Sequence, residues 1–130
     1  MTIEARYRTL IDGRVGEEVL DLPEDGIGRL REALADAPFG VALRQAGPDF
    51  VSELVVGVQG DLGAIYFTDE SGSWYTAGPT PDDEGPVYAE VDFPGHSELP
   101  ASRIMAAVDE YLRSGVRPAC VPWQVDPYQA

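Results

Sequence analysis

At 130 residues, with 44% hydrophobic and 25% charged side chains, the chain is long and apolar enough for a packed core and is unlike a disordered segment. Its 23 acids against nine arginines, with no lysine, give a formal charge of −14, which opposes binding to nucleic acid or to an anionic membrane. A lone Cys120 excludes an intramolecular disulfide and a cysteine-built metal site, and no apolar run approaches the ~20 residues of a membrane-spanning helix.

In chain order, IEARYRTL (3–10) alternates in part and predicts a strand, with Ile3, Ala5 and Tyr7 on one side. EEVLDL (17–22) reads either as a short second strand or as a lead into a helix. Pro23, Glu24 and Asp25 suit the first turn of that helix, where the dipole favours acids. Ile27, Leu30 and Leu34 supply its apolar face, and Pro38 ends it.

FGVALR (39–44) predicts a strand that turns at Gly47-Pro48. SELVVGVQ (52–59) is apolar through its centre, which predicts an interior strand covered on both faces. Gly60-Asp61 turns into LGAIYFTD (62–69), and SWYTAG returns after Ser73, making an antiparallel meander. GPTPDDEGP (78–86) is a surface loop. VYAEVDF (87–93) alternates as a half-exposed strand, with Val87, Ala89, Val91 and Phe93 inward and Tyr88, Glu90 and Asp92 outward.

A Pro-led helix follows from Pro100, with Ile104, Met105, Val108, Tyr111 and Leu112 on one face. Arg113 lies in its last turn, and Gly115 is placed for a left-handed cap. ACVPW (119–123) predicts a last, edge strand with Cys120 as a small core residue. The sum is one α+β domain over 1–130: a mainly antiparallel sheet of five to seven strands with two helices packed on it. The N-terminus lacks the apolar stretch of a secretion signal, so the expected location is cytoplasmic.

Charge is distributed unevenly. The 58 residues 45–102 hold eleven of the acids and none of the arginines. Such a field speeds encounter with a basic partner. GC-rich codon usage also yields arginine without lysine, and adaptation to salt also yields acidity, so charge alone leaves these readings open.

Catalytic chemistry finds little material. His96 is the single histidine, in the turn-like FPGHSEL, where a surface or capping role is the simpler one. Gly57, Gly60 and Gly63 fall in a hairpin and fit neither a dinucleotide fingerprint nor a lysine-bearing phosphate loop. DESGSW (69–74) lacks the central glycine and terminal glutamate of a calcium loop. No cofactor, metal or small-molecule substrate is expected. A carboxylate-dependent enzyme remains an alternative, because no spacing singles out a pair among the acids.

The run LVVGVQGDLGAIYF, then SWYTAG, VYAE, ELP, a helix and YLRSGVRPACVPWQ resembles immunity protein family one of bacterial polymorphic toxin systems. The matching positions are Gly57, Gly60-Asp61, Gly63, Trp74, Gly78, Tyr88, Pro100, Gly115, Arg117-Pro118 and Trp123-Gln124, with Val116 a departure in the turn. The likeness covers about residues 50–124 well and 1–44 in outline. It implies a non-catalytic inhibitor that binds the toxin domain encoded beside it, and such toxins commonly attack nucleic acids as deaminases or nucleases. A toxin that grips a polyanion has a basic groove that an acidic inhibitor can occupy.

Within that resemblance, Gly57, Gly60, Gly63, Gly115, Arg117, Pro118 and Trp123 are expected to be structural, with Arg117 hydrogen-bonding at the helix–strand corner. Expected contacts to a basic toxin are Asp69, Glu70, Asp82, Asp83, Glu84, Glu90 and Asp92, with Trp74 and Tyr75 as aromatic anchors. The competing readings are solvated turns for the acids and sheet packing for the aromatics. A reading from another class is an acidic adaptor for some other basic protein.

Overall fold

A computed structural model describes residues 1–79, 85–89 and 91–127. Its main sheet is antiparallel throughout. In spatial order it runs β10 (Trp123–Val125), β6 (Gly72–Thr76), β5 (Leu62–Asp69), β4 (Ser52–Gln59), β3 (Val41–Gln45), β1 (Ile3–Ile11) and β2 (Arg14–Leu22). A two-residue strand, β9 (Leu99–Pro100), also pairs with β5. Two helices, α1 (Ile27–Asp36) and α2 (Ala101–Ser114), complete an α+β fold.

Side-chain alternation explains the layering. Ile3 and Ala5 of β1, Leu43 of β3, Leu54 and Val56 of β4, and Ile65 and Phe67 of β5 all point to one face and are buried. Leu30 of α1 and Ile104, Ala107, Val108, Tyr111 and Leu112 of α2 cover them. Each Leu, Ile or Phe fully withdrawn from water there contributes roughly 1.5–3 kcal/mol. β4 and β5 lie at the centre of the sheet, and the apolar run 54–58 is buried or half-buried from both sides.

The second cover comes from the segment after residue 84. Tyr88 and Phe93 lie with Ala64 and Tyr75 in a smaller core on the opposite face of the sheet. Phe93 meets both Tyr75 and Tyr88 edge-on, with ring centroids 5.1 and 5.9 Å apart. Gly57 permits this approach: a Cβ there would stand 2.7 Å from the Cβ of Tyr88. The segment is not the single strand its alternation predicts. It forms its own small hairpin, β7 (Val87–Tyr88) with β8 (Val91–Asp92), and Ala89 between them takes φ 51°. The phase is also reversed at its start, since Val87 is 54% exposed and Tyr88 3%. The larger aromatic area takes the buried side, and Tyr88 gains a hydrogen bond to Glu98.

Three further expectations change. Pro23 lies ahead of α1 in a turn closed by the Gly26 N–H on the Pro23 carbonyl at 2.9 Å, and the helix starts at Ile27. β2 begins at Arg14, because Asp12 and Gly13 both adopt positive φ (52° and 76°) and close a two-residue hairpin. The last strand starts at Trp123, and Cys120 is exposed rather than in the core.

Candidate functional site

Antiparallel pairing gathers several turns at one end of the sheet. β3 ends and β4 begins there, the β5–β6 hairpin turns there, and α2 terminates there. The Ser52 hydroxyl donates to the Gly115 carbonyl at 2.9 Å, and Gln45 Nε2 donates to the same oxygen at 3.3 Å. Gly115 takes φ 71°, and a Cβ on it would come 2.5 Å from Met1 Sδ, which places the N-terminus at this end too.

This end exposes apolar side chains: Phe50 56%, Val51 47%, Val116 58% and Val125 67%. Beside them stand the exposed Asp49 and Glu70, neither in an ion pair among the described residues. An apolar centre with acidic neighbours is the composition of a protein-docking surface for a partner with a basic rim. The four apolar residues were not among the sequence-based contact candidates. The signal available was a Phe-Val pair directly after the Gly47-Pro48-Asp49 turn, where turn chemistry leaves apolar side chains without a core to enter.

The expected contacts divide. Glu70 and Asp92 are exposed. Asp69 is half-buried and accepts from both the N–H (2.8 Å) and the hydroxyl (2.6 Å) of Ser71, so it shapes the β5–β6 turn. Trp74 is half-buried on the α2 side, 6.3 Å from Phe67 between ring centroids, and its face carries the Arg117 guanidinium at 3.9 Å. Arg117 thus stacks on a ring, a different contact from the corner hydrogen bond expected of it. Tyr75 is 5% exposed in the second core, so packing takes the ring proposed as an anchor. Asp82, Asp83, Glu84 and Glu90 lie outside the described residues.

The remaining motif residues sit at corners. Gly60 turns β4 into β5 with φ 62°. A Cβ on Gly63 would meet the Gly57 carbonyl at 2.7 Å. Pro118 is buried, and its carbonyl accepts from Trp123 Nε1 at 2.7 Å, while Trp123 packs on Phe67.

His96 is exposed, with φ 59°. Partial desolvation of the exposed Cys120 and the neighbouring Glu110 raise its thiol above the ordinary pKa, which keeps it protonated and weakly nucleophilic near neutrality. Among the described residues no three His, Cys, Asp or Glu side chains gather as a metal site. No helix among them is long and apolar enough to cross a membrane.

Comparison with known proteins places this geometry. The family model described as immunity protein Imm1 matches residues 23–125, which takes in both helices and every strand except β1 and β2. No curated protein matches the chain.

Proposed function

We propose a mode of action from one premise: the chain belongs to the Imm1 family of immunity proteins, and its function is neutralisation of a cognate toxin. It works by binding rather than by catalysis, and its partner is a toxin domain that acts on nucleic acid, as a deaminase or a nuclease does. The acidic surface competes with the polyanionic substrate for a basic groove on that toxin. The observation that carries this reading is that Asp49 and Glu70, neither in an ion pair among the described residues, stand with exposed Phe50, Val51 and Val116 at one end of the sheet. Apolar area supplies the short-range adhesion, and the acids supply attraction and orientation.

The test is co-expression with the toxin domain encoded beside this chain. Protection of the host, with a complex that survives size-exclusion chromatography, is the expected result. Undiminished toxicity with no complex would reject the reading for that pair. Activity of the toxin on nucleic acid, abolished by stoichiometric addition of this protein, separates occupation of the substrate groove from mere association.

A further inference from the structure

The sheet ends in a long free edge. β2 pairs with β1 over nine consecutive residues without a bulge or a proline, and among the described residues nothing pairs with its other side. β1 pairs with β3 only through Ile3–Tyr7, so the far half of the hairpin projects beyond the sheet. Native proteins usually shorten, bulge or cover such an edge. Here charge alone interrupts it.

The two-residue turn at Asp12-Gly13 fixes which backbone groups are free. Ile11 and Arg14 close the hairpin as a hydrogen-bonded pair, and bonded and non-bonded pairs then alternate along the ladder. The even-numbered residues of β2 therefore bond to β1. Val15, Glu17, Val19 and Asp21 turn their N–H and C=O groups outward. The same assignment follows from the other side of β1, where the Ala46 N–H bonds the Thr2 carbonyl at 2.9 Å in the even-numbered register. All four residues are exposed, and their side chains share the sheet face that α1 and α2 do not cover.

We infer that this edge takes an extended strand of the toxin, one that alternates basic and apolar side chains along one of its faces, and continues the sheet by one strand. The proposal rests on the immunity reading. It owes nothing to the family frame, because β1 and β2 precede the matched residues 23–125. The side chains beside the free backbone groups read valine, glutamate, valine, aspartate, so a complementary strand supplies arginine or lysine opposite Glu17 and Asp21 and apolar residues opposite the valines. A second copy fits poorly. Antiparallel self-pairing that overlaps seven or more residues sets Glu17 against Glu17, Glu18 against Glu18, or Glu17 against Asp21. Like charges directly opposed destabilise each such register.

Amide hydrogen exchange of the wild-type chain, free and bound to a catalytically inactive form of the toxin domain encoded beside it, reads this directly. In the complex, the Val15, Glu17, Val19 and Asp21 amides gain protection while their even-numbered neighbours, already bonded to β1, change little. Glu17→Pro removes one outward donor, at an edge position where proline leaves the β1 ladder intact. Its affinity for that toxin falls roughly 10–100-fold, as loss of one or two strand contacts requires, with the melting temperature near wild type. A complex of unchanged affinity in which those four amides exchange as in the free chain overturns the inference and leaves the immunity reading standing. Protection of the same amides in a toxin-free dimer overturns it in favour of a second copy. Failure of the wild type to bind or protect removes the immunity reading, and the inference with it.

Discussion

Tyr111 shows how one side chain ties a strand to a helix end. Its ring lies in the core, edge-on to Phe67 at 6.1 Å, and its hydroxyl sits 2.8 Å from Ser52 Oγ. Ser52 has one proton and gives it to the Gly115 carbonyl, so Tyr111 donates to Ser52. Ser52→Ala takes from the tyrosine hydroxyl its 2.8 Å acceptor and from that carbonyl the nearer of its two donors, Gln45 Nε2 remaining, in a buried place, a cost of about 1–3 kcal/mol. Tyr111→Phe leaves the Ser52–Gly115 bond in place and costs about 0.5–1.5 kcal/mol. Denaturant titration of the two variants checks the order. Burial raises the Tyr111 pKa above its ordinary value. The sign follows: above tyrosine's ordinary pKa of about 10 the unfolded chain gives up this proton first, so stability falls as pH rises through that range. Above about pH 10 wild type loses stability with rising pH more steeply than Tyr111→Phe. Parallel curves for the two would show that the phenol does not govern that limb.

At the scale of elements, Gly57 separates the two cores. Gly57→Ala puts a methyl into Tyr88 and lifts the hairpin 87–92 from the sheet, while Leu54, Ile65 and Phe67 on the opposite face keep their neighbours. The expected cost is about 1–3 kcal/mol, as for overpacking. Near-UV circular dichroism checks it: the Tyr75–Phe93–Tyr88 contribution weakens while the far-UV spectrum holds. Loss of both spectra together would mean the two faces do not unfold separately. The same contrast explains what the sequence made legible. β4 and β5 were readable because their apolar runs and the Gly60-Asp61 turn are local signals. The α2 face and its Gly115 cap were readable for the same reason. The 87–93 segment departs from its alternation because its phase is set by a long-range partner, the space above Gly57, which alternation cannot report. β2 starts earlier than the expected 17–22 because Asp12-Gly13 closes a hairpin, and that dipeptide is a strong local signal. The end proposed to meet the toxin was half legible: its acids stand out as charge, whereas Phe50 and Val116 become noticeable only once folding brings their turns together.

For the whole molecule, −14 is a long-range property, and its use must be separated from its mere presence. Fully exposed charges act over the Debye length, about 10 Å at 0.1 M salt, so a negative molecule approaching a basic groove is steered mainly when salt is low. Association with the toxin should therefore slow by roughly ten-fold or more between low and high ionic strength, while dissociation changes less. Net charge alone would make every exposed acid count about equally. A docking surface would not. Asp49→Lys with Glu70→Lys changes charge at the end proposed to meet the toxin, whereas Asp61→Lys changes an exposed residue in the β4–β5 turn at the other end. Stopped-flow association across a salt series distinguishes the two cases. The double variant should be slower at low salt and show a flatter salt dependence, out of proportion to its extra reversed charge, and Asp61→Lys should stay close to wild type. If Asp61→Lys instead falls on the same line per unit of charge, the acidity acts as a diffuse field and the end around Phe50 has no special part in encounter.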